Sequence, residues 1–140
     1  MSQKNMEIAK RAMDSFNYSN FVLSGVTPFP TLREFCDPDV EWDFSRQGID
    51  GEIYRGYEGW VRFAETVRET CREFRFGAEE IIDAGESVVV LSRNNGLAKS
   101  GVRLDVRAVQ VLTFRDGKVI TYRYFGEDRA ACLASVGLVQ

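Results

Sequence analysis

Residues Val102–Phe125, VRLDVRAVQVLTFRDGKVITYRYF, decide the fold. Two extended runs flank Asp116-Gly117, a dipeptide suited to the two-residue turn that joins antiparallel strands. In the first run the even positions Leu104, Val106, Ala108, Gln110, Leu112 and Phe114 are apolar except for Gln110, whereas Arg103, Asp105 and Arg107 open the odd face. Side chains alternate across a strand, so the even face looks into a core. Gln110 is the single amide on that face. Left without a partner it would cost about 1–3 kcal/mol, so it must meet a neighbour, water or a ligand. The second run puts Ile120, Tyr122 and Tyr124 on one side and Val119, Thr121, Arg123 and Phe125 on the other.

Upstream, Phe76–Ala84 and Ser87–Ala98 are also extended, bounded by the turn signals Gly85-Glu86 and Lys99-Ser100-Gly101. Four consecutive strands predict an antiparallel meander. Two of them are roughly twice the usual length, so the sheet must twist and curl. In Ser87–Ala98 the stretch Val88–Leu91 is apolar on both faces, and Arg93, Asn94 and Asn95 bring polar groups into the far half. Parity alone leaves open which of these three points inward.

Two amphipathic helices precede the meander. Met6, Ala9, Met13 and Phe16 share one face of a helix that runs to about Tyr18, and Trp60, Phe63, Val67, Cys71 and Phe74 share one face of a second. Between them lie a broken stretch from Asn20 to Pro30, a short helical turn over Thr31–Cys36, a short strand over Val40–Phe44, and a connection through Gly48, Gly51 and Gly56. A curled sheet around one long helix is a cone. Asp128 caps a last short helix that Gly137 ends.

Composition narrows the function. At 140 residues the chain suits one domain over 1–140, with 44% hydrophobic residues and a net charge of -3 from eighteen basic and twenty-one acidic side chains. That balance argues against nucleic acid as a partner. The chain has no histidine, which removes Ser-His and Cys-His nucleophiles, histidine bases and most zinc sites. Cys36, Cys71 and Cys132 are too widely spaced for a redox pair or a zinc framework and fit buried thiols. Met1–Lys10 lacks the apolar stretch of a secretory leader, and no run approaches a membrane span, so a cytoplasmic location is expected with no membrane partner. No metal or cofactor is implied.

Four stretches in register, DPDVEWD (Asp37–Asp43), IYRGYEGWVRF (Ile53–Phe63), IIDAGESVVVLSR (Ile81–Arg93) and VLTFRDGKVITYRYF (Val111–Phe125), resemble the SnoaL-like family of the nuclear transport factor 2-like superfamily. The resemblance implies an α+β, cystatin-like barrel, in which a conical curved antiparallel sheet wraps around a long helix with N-terminal helices. It also implies a pocket between sheet and helices, and commonly a homodimer through the outer sheet face. Val109 and Val111, aliphatic on the outward side between Arg107 and Thr113, fit such a dimer face.

Set beside the ketosteroid isomerases, the general-base aspartate falls on Trp42, the oxyanion-hole aspartate on Gln110 and the first-helix tyrosine near Phe16. Set beside the limonene-type epoxide hydrolases, the Arg-x-Asp of the second long strand falls on Arg93-Asn94-Asn95 and the second aspartate on Tyr124. Both carboxylates of that chemistry are replaced, so no epoxide hydrolysis is expected. The resemblance implies that Arg93, Asn95, Gln110 and Tyr124 turn inward together with Tyr122, and that Trp42, Tyr54, Trp60 and Phe63 form an aromatic wall. Asp43 and Asp105 are turned away by strand parity. Two readings stay open. One is a cofactor-independent enzyme of the cyclase, isomerase or lyase kind, with Arg93, Gln110 and Tyr124 polarising the oxygen of a small apolar or aromatic carbonyl compound. The other is a non-catalytic module that binds such a carbonyl or an anionic ligand, or that acts as a dimeric interaction domain.

Overall fold

In the computed structural model, which describes residues 2–16, 29–46 and 51–138, the chain order is α1 (Ser2–Phe16), α2 (Phe29–Phe35), β1 (Cys36–Asp43), β2 (Ile53–Arg55), α3 (Gly56–Thr70), β3 (Cys71–Ala84), β4 (Ser87–Ala98), β5 (Arg103–Arg115), β6 (Lys118–Tyr124) and α4 (Arg129–Ser135). The strands form one curved sheet in the order β2-β1-β6-β5-β4-β3. The meander is antiparallel, and β1 joins β6 in parallel, which makes the sheet mixed. The turn between β5 and β6 has positive φ at both Asp116 (51°) and Gly117 (77°), as a hairpin of this length needs. Register shifts interrupt β3 between Cys71 and Glu73 and again between Ala78 and Glu80, and such bulges bend a strand. Pro38, which has no N–H to donate, falls where β1 and β6 lose register between Cys36 and Glu41.

Three helices close the concave face. Ala9, Ala12 and Met13 of α1 pack with Leu32 and Phe35 of α2, Trp60 and Ala64 of α3, and the inward residues Phe76, Val88, Val90, Leu112 and Phe114 of the sheet. The Nδ2 of Asn5 donates to the carbonyl of Gly85 at 3.3 Å, tying α1 to the β3–β4 turn. Gly59 lets α3 lie flat on the β1–β2 pair, because a Cβ there would sit 2.9 Å from Tyr54 Cβ and 3.1 Å from Trp42 Cδ1. Trp60 and Phe63 are thereby brought over the sheet. The helix stops earlier than its spacing predicts. Cys71 takes up extended backbone, and Cys71 and Phe74 belong to β3. From Phe74 the period is two, and Phe74 and Phe76 share the concave face.

The convex face differs from expectation. Asp128 caps α4, its Oδ1 accepting from the Ala131 N–H at 3.1 Å, and α4 lays Cys132 and Leu133 over Val89, Val109, Val111 and Phe125. Val109 and Val111 are 5% and 2% exposed, so the chain covers them with its own helix and they offer no exposed patch to a second copy. Alternation placed them outward correctly but could not show what folds back on them.

Candidate functional site

Between the concave sheet and the helices lies a cavity of about 350 Å³. Its walls are mainly aromatic. β1 supplies Trp42, and Phe44 follows at its end; α3 supplies Trp60 and Phe63, β3 Phe74 and Phe76, and β6 Tyr122 and Tyr124. Leu104, Val106 and Leu112 of β5 form the floor, and α1 and α2 close the top with Met13, Leu32 and Phe35. Phe44 stacks on Phe63 with centroids 4.5 Å apart and planes 6° from parallel. Trp42 leans on Tyr122 at 5.7 Å, and its Nε1–H donates to the Gly56 carbonyl at 2.9 Å, which fixes the indole. Locked aromatic rings present a large apolar surface without further loss of side-chain freedom.

The polar groups are few. Asn94, Tyr124, Tyr122, Cys36 and Glu127 line the cavity, and among the described residues no lysine or arginine does. Behind Asn94 runs a buried chain. Gln110 Nε2 donates to Ser92 Oγ at 2.9 Å, and Ser92 Oγ donates to Asn94 Oδ1 at 3.0 Å. Tyr124 lines the cavity beside Asn94. Burial pushes the Tyr124 phenol up, the neighbouring Asn94 amide opposes that shift and the Glu127 charge adds to it. Tyr122 is raised further, by burial and then by the neighbouring Tyr124. Burial pushes the Cys36 thiol up to about 12 despite Lys118, so it stays protonated and is a poor nucleophile near neutral pH. Among the described residues no three His, Cys, Asp or Glu side chains gather as a metal site.

Of the residues singled out in the sequence, Trp42, Trp60, Phe63, Tyr122 and Tyr124 line the cavity. Tyr54 lies behind the wall, edge-on to Phe44 and Phe63, with its hydroxyl 3.4 Å from Thr66 Oγ1. Gln110 is 0% exposed and touches the cavity only through Ser92 and Asn94. Arg93 and Asn95 must be corrected. Both are exposed on the convex face, where the Arg93 Nε and Nη2 donate to the two carboxylate oxygens of Asp105 at 2.9 and 2.8 Å. That bond holds the Asp105 carboxyl below its usual range. β4 pairs with β5 without a register shift, so Ser92, Asn94 and Gly96 face inward and their odd neighbours outward. A slip of one residue exchanges the faces, so the expectation that the epoxide-hydrolase likeness gave for Arg93 and Asn95 does not hold on this strand. Asp43 also stays outside, accepting from the Ser45 N–H at 2.9 Å. The side chain of Phe16 and residues 17–28, which include most of the Asn20–Pro30 stretch, lie outside the described residues.

Sequence reasoning missed Asn94 and Glu127. Asn94 was one of three neighbouring polar residues, and the outward Asp105 on the next strand was the clue that Arg93 would turn out to meet it. Glu127 follows the bend at Gly126 (φ 58°), just beyond the strand that carries Tyr124. An exposed Arg93–Asp105 pair contributes little in water. Arg93→Ala is therefore expected to leave both the thermal midpoint and the affinity for an aromatic probe unchanged, and a lost affinity would return Arg93 to the pocket.

The sequence profile of the SnoaL-like domain matches residues 25–122. No curated protein matches the chain. Among solved structures, an NTF2-like protein of unknown function from Burkholderia pseudomallei K96243 is similar at 24% identity, with 86% of this chain and 88% of that one covered and a TM-score of 0.67. A protein described as a candidate SnoaL-like polyketide cyclase from Jannaschia sp. CCS1 is similar at 24% identity, over 96% and 93% of the two chains, with a TM-score of 0.68. TerC, co-crystallised with polyporic acid, is similar at 23% identity over 86% and 89%, also with a TM-score of 0.68. These likenesses concern the fold. The match of the family profile from before α2 to near the end of β6, over more than half of the chain, carries the assignment further: the chain belongs to the SnoaL-like domain family.

Proposed function

We propose that the protein binds a small, uncharged, largely aromatic molecule in the cavity between sheet and helices. One observation carries this reading: about 350 Å³ of space is walled by fixed aromatic rings, with no basic side chain among the described lining residues. Cavities of that size with apolar walls and a few convergent polar groups are the usual form of a small-molecule site. The anionic ligand considered from the sequence loses its support with Arg93, and the Glu127 carboxylate at the cavity disfavours it further. Both tryptophans of the chain line the cavity, so their fluorescence reports occupancy. Saturable quenching by 2-ethylnaphthalene at micromolar concentration, lost in Phe63→Asp, is the expected result. Quenching that rises linearly with probe and survives the substitution would sink the reading.

Glu127 favours a second reading, catalysis of the cyclase or isomerase kind. It is the one carboxylate lining the cavity among the described residues, and its charge acts on the Tyr124 phenol. A base beside a hydrogen-bond donor can move a proton next to a carbonyl. Exchange of the methyl protons of 2-acetylnaphthalene with D₂O, accelerated by the protein and abolished in Glu127→Gln, would favour an enzyme. Binding without exchange favours a binding module.

A further inference from the structure

The cavity is long, and its two ends differ. On β5 the lining runs from Leu104 to Leu112, and at about 3.4 Å per residue that is roughly 27 Å along the strand before its curl shortens the path. The end at Leu104 is open. Leu104, Val106, Phe74 and Tyr124 are half-buried there, and Glu127 is exposed. Strand pairing groups them: Val106 lies across from Asn94, and Leu104 from Gly96, whose other neighbour is Phe74. The end beyond Leu112 is closed among the described residues. Cys36 pairs there with Val119, and these two are buried together with Ala12, Met13, Leu32 and Phe35 of the helices.

Polarity divides the same way. Asn94, Tyr124 and Glu127 stand at the open end, where a polar group of a ligand finds partners and water. At the closed end the polar atoms are already engaged. The Cys36 carbonyl accepts from the Tyr57 hydroxyl at 3.0 Å, and the protonated Cys36 thiol packs as a small hydrophobe. Lys118, the next residue to Val119, is held by the Arg33 and Glu34 carbonyls at 2.9 and 2.6 Å. Met13, Leu32, Leu112 and Val119 make that end largely aliphatic, and Ala12 presents only a methyl group to it. A polar group carried to the closed end would lose its water and find no free partner among the described residues, whereas an alkyl chain loses nothing by the move. We infer that the ligand is an aromatic ring with a polar substituent at one end and an unbranched alkyl chain at the other, that it enters chain first, and that Ala12 is the specificity-determining residue that sets how long the chain can be. The inference rests on the proposed aromatic-ligand reading for the ring and adds to it the chain, its direction and its limit.

The test follows tryptophan quenching by 2-naphthol and by its 6-ethyl, 6-butyl and 6-hexyl derivatives, in the wild type and in Ala12→Leu. In the wild type the affinity should rise by about fourfold for each added methylene, the gain from taking a CH₂ group out of water, until the chain meets the closed end. Ala12→Leu fills that end. It should keep the affinity for 2-naphthol and lower that for the hexyl derivative by about tenfold or more, the cost of forcing methylenes into occupied space. A general loss of packing would not split the series in this way. Equal affinities across the wild-type series, or a loss in Ala12→Leu that is the same for 2-naphthol and the hexyl derivative, overturns the inference and leaves the aromatic-ligand reading standing. If no member quenches saturably, that reading falls and the inference with it. Should Ala12→Leu fail to fold, NMR of the wild type with the hexyl derivative decides. Nuclear Overhauser contacts from the terminal methyl of the chain to Met13 and Leu32 support the inference; contacts from it to Leu104 and Val106 overturn it.

Discussion

Val111→Arg is expected to unfold the protein or bring it close to unfolding, with a loss of at least about 4 kcal/mol. Val111 is 2% exposed on the convex face, under Cys132 and Leu133 of α4 and beside Val89, Val109 and Phe125. An arginine placed there must either bury its charge or push α4 off the sheet to reach water. Its register partner on β6 is Arg123, so a like charge stands directly across. Small domains are held by only about 5–15 kcal/mol, and this one change removes a large part of that. Urea denaturation checks it. A variant that keeps the wild-type midpoint while its particle mass in solution falls by half would mean that Val111 packs in solution against a second copy and not beneath α4.

The strands of the meander were legible because their signals are local. Asp116-Gly117, Gly85-Glu86 and the glycine at 101 mark turns by chemistry that acts over a few residues, and β4 runs from Ser87 to Ala98 as read. The end of α3 was not legible. Cys71 and Phe74 happen to continue a spacing of three and four, and only the pairing of β3 with β4 pulls them into the sheet. β2 is three residues long and too short for any periodicity to show. The cover over Val109 and Val111 was hidden for another reason. α4 is seven residues long, and which face of a sheet a short terminal helix returns to is a tertiary outcome that spacing does not encode.

In the site, the aromatic wall was legible and the polar end was not. Trp42, Trp60, Phe63, Tyr122 and Tyr124 follow from amphipathic spacing together with the family resemblance, and all five line the cavity. Arg93 and Asn95 were placed by analogy with a charged motif at one position, where an error of one residue reverses the outcome. Physical cost argued the other way. An inward Arg93 would have needed a buried carboxylate partner, and the strand opposite offered Asp105 on the outside. Asn94, by contrast, needs only neutral partners and finds Ser92.

Phe125→Ala should cost about 3–5 kcal/mol, the range for removing a fully buried aromatic side chain. Phe125 is 1% exposed and fills the space between the end of β6 and α4. Its backbone N–H donates to Val109 at 2.9 Å, which holds the strand end in register whatever the side chain, so the loss comes from packing and not from pairing. Two guanidinium groups lie against the ring, Arg46 and Arg123, each 5.1 Å from its centre. Arg46 also reaches the Asp128 carboxylate at 3.2 Å, so the ring helps to hold the cap of α4. Phe63→Ala should cost less, because that ring is only half buried and borders a cavity that already exists, so its removal enlarges a space instead of opening one. The expected result in urea is therefore an ordered pair of midpoints, with Phe125→Ala the lower and the denaturant slope unchanged in both. If Phe63→Ala proves the more damaging, the stability of the fold lies in the aromatic wall of the cavity and not in the packing beneath α4.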